Sequence, residues 1–313
     1  MNPIWHSHRR LNRLQSALLI LSMLGIAAMA GSLLLGETGA WLAAGVALMA
    51  LLIEPTTSSA LTLRLYRARP LHPAEAPGLW ALLRQLAKLT GLPAVPVPHY
   101  VPSQMINAFA TGSRQRAAIV VTDGLLRTLT PRELTGVLAH EVAHIAHDDL
   151  RVMGLADSVS RLTSLLALLG QLILILSLPW FLLGELSVSW PAWLLLALAP
   201  HLTLLAQLGL SRVREFDADL MAARLTGDPQ GLASALARIE QVSRSWRHWL
   251  LPGWGNPEPS WLRTHPATAA RIKRLHALST PGWSDLPTPA IHVHDGWPCP
   301  PHAPRWYPGG YWR

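Results

Sequence analysis

Residues 131–149, PRELTGVLAHEVAHIAHDD, hold the pattern through which the rest of the chain is read. Apolar Leu134, Val137, Leu138, Val142 and Ile145 recur at helical spacing behind the Pro131-Arg132-Glu133 opening. On such a helix His140 and His144, four positions apart, lie one above the other, so both imidazoles can reach one metal ion. Glu141 stands beside the pair, where a carboxylate can take a proton from a water that the metal activates. The H-E-x-x-H order is the one zinc-dependent peptide hydrolases use. With 14 histidines in the chain, a chance occurrence is the competing reading. Partners elsewhere in the sequence decide between them.

Composition narrows the setting. Of 313 residues, 50% are hydrophobic and only 14% charged, with a mean hydropathy of +0.26. Soluble domains carry about 25% charged residues, so this balance points to a membrane protein. The single cysteine, Cys299, excludes an intrachain disulfide and a thiolate metal cluster, and fits a reducing compartment. A net charge of +8 raises nucleic acid as a partner. The Arg and Lys residues are dispersed and flank apolar runs, however, as at a cytoplasmic membrane face, and no nucleic-acid partner is expected.

Four apolar runs organise the chain. Leu14 to Gly36 is uncharged and long enough to span, and is preceded by Arg9, Arg10 and Arg13. A cleavable signal peptide is the rival reading, but the run exceeds a usual signal core and a second run follows at once. That run, Trp41 to Ile53, is short and is followed by Arg64, Arg67 and Arg69. Leu162 to Leu183 and Trp190 to Leu210 form a hairpin flanked by Arg151 and Arg161 on one side and Arg212 and Arg214 on the other. Trp180, Trp190 and Trp193 bracket its tip, as tryptophans do at a membrane interface. His201, inside the fourth run, is expected to bond a neighbouring helix. The positive-inside rule then predicts about four spans, with both termini and the intervening domain in the cytoplasm.

Outside these runs the chain looks like a folded domain. Leu79 to Leu89 has helical periodicity and stops at Thr90-Gly91-Leu92-Pro93; Val95 to Val101 reads as extended. Met105 to Ala110 and Ala117 to Thr122 are short strands separated by the turn-like Thr111 to Arg116. A catalytic zinc takes three protein ligands, so a third is needed. His147, in His147-Asp148-Asp149, is one candidate. Glu215, in Ser211-Arg212-Val213-Arg214-Glu215-Phe216-Asp217-Ala218-Asp219, is the other. Glu215 and Asp219 share a helix face, which suits one ligand and one acceptor that orients an imidazole; a solvated, charged helix start has the same spacing. If the intervening hairpin crosses the membrane and returns, Glu215 comes back to the face that carries His144.

Four segments resemble the HtpX-type membrane zinc metallopeptidases, relatives of the CAAX prenyl proteases. They are Asn107-Ala108-Phe109-Ala110-Thr111-Gly112, the H-E-x-x-H helix followed by Asp149, Ser211 to Asp219, and His265-Pro266-Ala267-Thr268-Ala269-Ala270-Arg271-Ile272. The resemblance covers roughly residues 70–278. It implies one Zn2+ per chain on His140, His144 and Glu215, with Glu141 as general base and Asp219 and Asp149 as supporting carboxylates. It also implies that Asn107, Ala108, Phe109 and Ala110 form an edge strand for substrate backbone, and that His265 stabilises the oxyanion. Arg271 reads equally as a structural ion-pair partner or a catalytic group.

The expected architecture is mainly α, an integral membrane protein with a cytoplasmic zincin-like α+β protease domain containing a small sheet. Its parts are a transmembrane pair (1–69), a first protease segment (70–157), a transmembrane hairpin (158–210), a second protease segment (211–280) and an irregular Pro- and Trp-rich tail (281–313). The expected activity is a zinc endopeptidase acting on misfolded or damaged membrane proteins. A CAAX-type processing protease and a non-catalytic zinc scaffold are the alternatives.

Overall fold

Long apolar runs become helices because a bilayer offers backbone groups no partner except one another. The structure, a computed structural model, describes residues 3–52, 55–183, 190–247, 268–278, 306–307 and 311–312. Helices α1 (Pro3–Leu35) and α2 (Glu37–Leu52) meet at Gly36. Helix α3 (Pro55–Leu65) leads to strand β1 (Arg69–Pro70) and helix α4 (Pro77–Thr90). Strands β2 (Val97–Val101), β3 (Ala108–Gly112) and β4 (Ala117–Thr122) follow, then α5 (Asp123–Thr128) and α6 (Pro131–Ala146). Two long helices, α7 (Asp149–Leu182) and α8 (Trp190–Thr226), precede α9 (Pro229–Arg247) and α10 (Thr268–Ala277). A two-residue pair, β5 (Trp306–Tyr307) and β6 (Tyr311–Trp312), marks the tail.

The chain divides into two compact units, and α7 and α8 contribute to both. The first is helical. Small residues on its inner faces (Ala27, Ala30, Ala43, Ala156, Ala199) let α1, α2, α7 and α8 pack closely around Met23, Leu155, Leu166, Leu196 and Leu210. Ser160 donates to the Gln207 side-chain oxygen at 2.7 Å, joining α7 to α8. The opposite faces expose Leu165, Leu168, Leu172, Ile175 and Leu205, as a lipid-facing surface does. Among the described residues, three helices carry stretches long and apolar enough to cross a membrane: Leu14–Leu35, Asp149–Trp180 and Trp193–Thr226. The expected fourth, α2, has 16 residues. At 1.5 Å per residue it reaches about 24 Å, short of a hydrocarbon core of about 30 Å. His201 also departs from expectation: its Nδ1 lies 3.3 Å from the Ala197 carbonyl of its own helix.

The second unit is built on a four-stranded mixed sheet in the order β1-β2-β4-β3. Central β4 is buried along its whole length and pairs parallel with β2 and antiparallel with β3. β3 is therefore an edge strand. Its residues Thr111 and Gly112 extend it beyond the expected turn start. Helix α6 runs through the core, among Leu83 and Leu86 of α4, Ile119 and Val121 of β4, Leu232 and Ala235 of α9, and Leu275 of α10.

Local chemistry sets where these helices start and stop. Thr130 and Glu133 form a reciprocal capping box at the start of α6, with Pro131 as the first helical residue. Glu133 also accepts from the Ser234 hydroxyl at 2.6 Å, tying the start of α6 to α9. Gly136 lets the two helices close up, since a Cβ there would sit 3.1 Å from the Leu232 backbone. Gly91 ends α4 in the left-handed region (φ +67°), with the Leu92 N–H donating to Ala87.

Candidate metal centre

Because α6 is regular through Ala146, it stacks His140 and His144 as the four-residue spacing requires. Their rings are nearly perpendicular, and the two Nε2 atoms are 3.0 Å apart. Just beyond, α6 ends, Asp148 adopts a left-handed conformation (φ +61°), and α7 begins at Asp149. That reversal brings the Asp149 carboxylate to 2.8 Å from His144 Nδ1. His140 Nδ1 lies 3.0 Å from Asp219 Oδ1. An ionised carboxylate only accepts, so both rings donate through Nδ1 and turn their Nε2 lone pairs toward each other.

Glu215 completes the arrangement. Ser211 to Asp219 is not the start of a new helix: α8 continues unbroken from its apolar stretch to Thr226. Glu215 Oε2 lies 3.4 Å from His140 Nε2, and Oε1 lies 3.6 Å from His144 Nε2. Ligand atoms of His140, His144 and Glu215 all fall within 4.8 Å of one another, the group of this kind found among the described residues. His147, the other third-ligand candidate, is not part of it.

These residues fit a zinc ion. A tetrahedral site with metal–nitrogen bonds of about 2.05 Å has ligand atoms about 3.3 Å apart, which matches the separations here. Two opposed lone pairs at 3.0 Å repel unless a cation lies between them. Four carboxylates (Glu141, Asp149, Glu215 and Asp219) are buried around the rings, with one buried guanidinium, Arg271. Burial works against charge on His144. Hydrogen bonds donated to Asp149 and Glu215, and their negative charge, nonetheless push its pKa well above the usual histidine value. His140 is raised too, as Asp219 and Glu215 outweigh burial and the positive charges of Arg271 and His144. The pocket is built to hold positive charge.

Arg271, on α10, is bonded in a way the sequence left open. Its Nε and Nη2 grip both oxygens of Asp219 at 2.7 and 2.6 Å, and Nη1 forms an ion pair with Glu215 Oε2 at 2.8 Å. It thus braces two of the surrounding carboxylates. Glu141 Oε2 accepts from the backbone N–H of Ala110 on β3 at 2.9 Å, a contact no sequence spacing announces. Among the expected strand residues, Phe109 is buried against Tyr66, with ring centroids 5.1 Å apart. Asn107 turns its N–H and carbonyl to Thr122 rather than outward. His265 lies outside the described residues.

Two stacked histidines, a glutamate on a second helix, and a buried glutamate beside them, in a chain with three membrane-length helices, define a membrane metalloprotease. Residues 73–279 match the model of peptidase family M48. The chain belongs to that family. A protease HtpX homolog from Acaryochloris marina is 39% identical over 293 residues, covering 86% of this chain and 95% of that protein. One from Nostoc punctiforme is 34% identical over 301 residues (89% and 99%), and one from Methylibium petroleiphilum is 33% identical over 286 (85% and 98%). The crystal structure of S. mikatae Ste24p is 20% identical with a TM-score of 0.35, covering 66% of this chain and 50% of that one.

Proposed function

We propose that the protein is a zinc endopeptidase that cleaves misfolded or damaged membrane proteins at a site facing the cytoplasm. The convergence of His140, His144 and Glu215 carries this reading. These three residues hold the zinc, which when bound supplies a Lewis acid for the scissile carbonyl. Asp149 and Asp219 fix the imidazoles through Nδ1, and Arg271 keeps Asp219 and Glu215 in place. Glu141 removes the proton of the attacking water and returns one to the leaving amine. His265 donates to the oxyanion. β3, from Ala108 to Ala110, binds substrate backbone along its open edge.

The arginines flanking the apolar runs favour both termini and the protease domain in the cytoplasm, with α2 making a short fourth crossing of the inner membrane that local thinning of the bilayer accommodates. The likeness to protease HtpX homologs over nearly their whole length supports a general membrane protease, and we read quality control as its role ahead of the processing of prenylated peptides. The test is casein cleavage by detergent-purified protein. Wild type cleaves and a chelator stops it; Glu141→Gln keeps its metal and does not cleave. Cleavage by Glu141→Gln at the wild-type rate refutes the proposal.

A further inference from the structure

The bond between Glu141 and Ala110 joins the two working parts of the site, the base and the edge strand. In an antiparallel ladder, successive residues alternate between facing the partner strand and facing away. Asn107 bonds Thr122 through both backbone groups, and Phe109 lies opposite Val120. Ala108 and Ala110 therefore point their N–H and carbonyl groups to the open edge, where an added strand would pair. At Ala110 that N–H is already in use, donating to Glu141 Oε2 at 2.9 Å inside a buried site. Both partners are buried, so the bond is charge-assisted and shielded from water. A single N–H cannot serve the carboxylate and a substrate carbonyl with good geometry at once.

We propose that the Ala110 N–H is a shared donor: it holds Glu141 while no peptide is bound, and an extended substrate pairing with β3 takes it over and frees the base. The inference rests on Glu141 as general base and β3 as substrate strand. It adds a substrate class and a positioning group. The preferred substrates are unpaired, extended segments long enough to place a carbonyl opposite Ala110. A short capped peptide that reaches the metal without covering β3 leaves Glu141 tethered. Unfolded stretches present such carbonyls and folded domains do not, so the tether discriminates by conformation rather than by sequence. Ala110 acts through Glu141, and its effect belongs in kcat as well as KM.

The test compares kcat for a long unstructured peptide and a short capped one that share the same cleaved bond. Wild type should favour the long peptide in kcat by ten-fold or more, the scale of one charge-assisted hydrogen bond. Ala110→Pro removes the N–H at an edge position where no ladder bond is lost. It should bring the kcat ratio toward one, mainly by raising kcat for the short peptide. Ala108→Pro removes a neighbouring outward N–H but leaves the tether, so it should raise KM for the long peptide without raising kcat for the short one. An unchanged ratio in Ala110→Pro, or the same rise in short-peptide kcat in both variants, overturns the proposal. If Ala110→Pro does not accumulate, wild type is assayed with long peptides in which each backbone carbonyl except that of the cleaved bond is replaced in turn by methylene. One replacement should lower kcat by ten-fold or more; changes confined to KM at every position overturn the idea. Activity surviving in Glu141→Gln would instead sink the underlying assignment of the base, and is read separately.

Discussion

Replacing Asp149 by Asn should weaken zinc binding ten- to a hundred-fold without dismantling the site. The Asp149 carboxylate is 2% exposed and sits 2.8 Å from His144 Nδ1. A hydrogen bond to a charged acceptor contributes about 1.5–3 kcal/mol and one to a neutral acceptor about 0.5–1.5 kcal/mol, so the substitution loses about 1–1.5 kcal/mol at the bond itself. It also removes one negative charge from beside a bound dication, at a buried position where the charge is weakly screened. Together these give about 1.4–2.7 kcal/mol, the range found when a carboxylate supporting a metal-bound imidazole is lost. The assay is zinc competition against a chromophoric chelator in detergent, at fixed pH. Asp157→Asn serves as control, because Asp157 pairs with the exposed Arg161 on α7, away from the histidines; its zinc Kd should match wild type. An Asp149→Asn protein that binds zinc as tightly as wild type would refute the claim that this carboxylate orients His144.

Arg271→Met should destabilise the metal-free second unit by about 3–5 kcal/mol, because it leaves Asp219 and Glu215 buried without their guanidinium. Thermal unfolding should show a fall on the order of 10 °C, smaller once zinc offsets the Glu215 charge; a fall under about 2 °C contradicts the bracing role. Glu133 predicts a pH effect. Burial alone would raise its pKa, but bonds from Ser234 and Thr130 and the charge of Arg238 hold it below its usual 4.5. A depressed folded pKa gives stability that is fully present above pH 4.5 and is lost as pH falls through the folded value. Glu133→Gln should therefore cost about 1–2 kcal/mol near neutrality and flatten the acid limb of the stability curve; an acid limb identical to wild type counts against it.

Much of the site was legible because its geometry is local. Two histidines four apart need only one regular helix, and Glu215 and Asp219 repeat the same spacing on another. The edge strand was legible as a short run beside a turn signal, though its exact limits were not. What escaped was set by tertiary packing. The charged stretch from Ser211 allowed a solvated helix start, yet α8 runs through it; Glu215 and Asp219 are buried in the second unit, and no Pro or Gly breaks the helix there. Arg271 could be placed near the site by its motif, but its grip on two carboxylates depends on where α10 packs. The Glu141–Ala110 bond joins a helix to a strand through a backbone N–H, which carries no side-chain signature at all. For α2, both apolarity and shortness were legible: its 16 residues reach about 24 Å, and a crossing there needs a locally thinned bilayer.

The most direct test of the account is the metal content of the purified protein measured alongside that of Glu215→Ala. Elemental analysis after removal of free metal should find one zinc per wild-type chain, and far less than one in Glu215→Ala and His140→Ala, with casein cleavage lost in both. A Glu215→Ala protein that retains one zinc per chain and cleaves casein would show that α8 does not complete the site, and the account would fail at its centre.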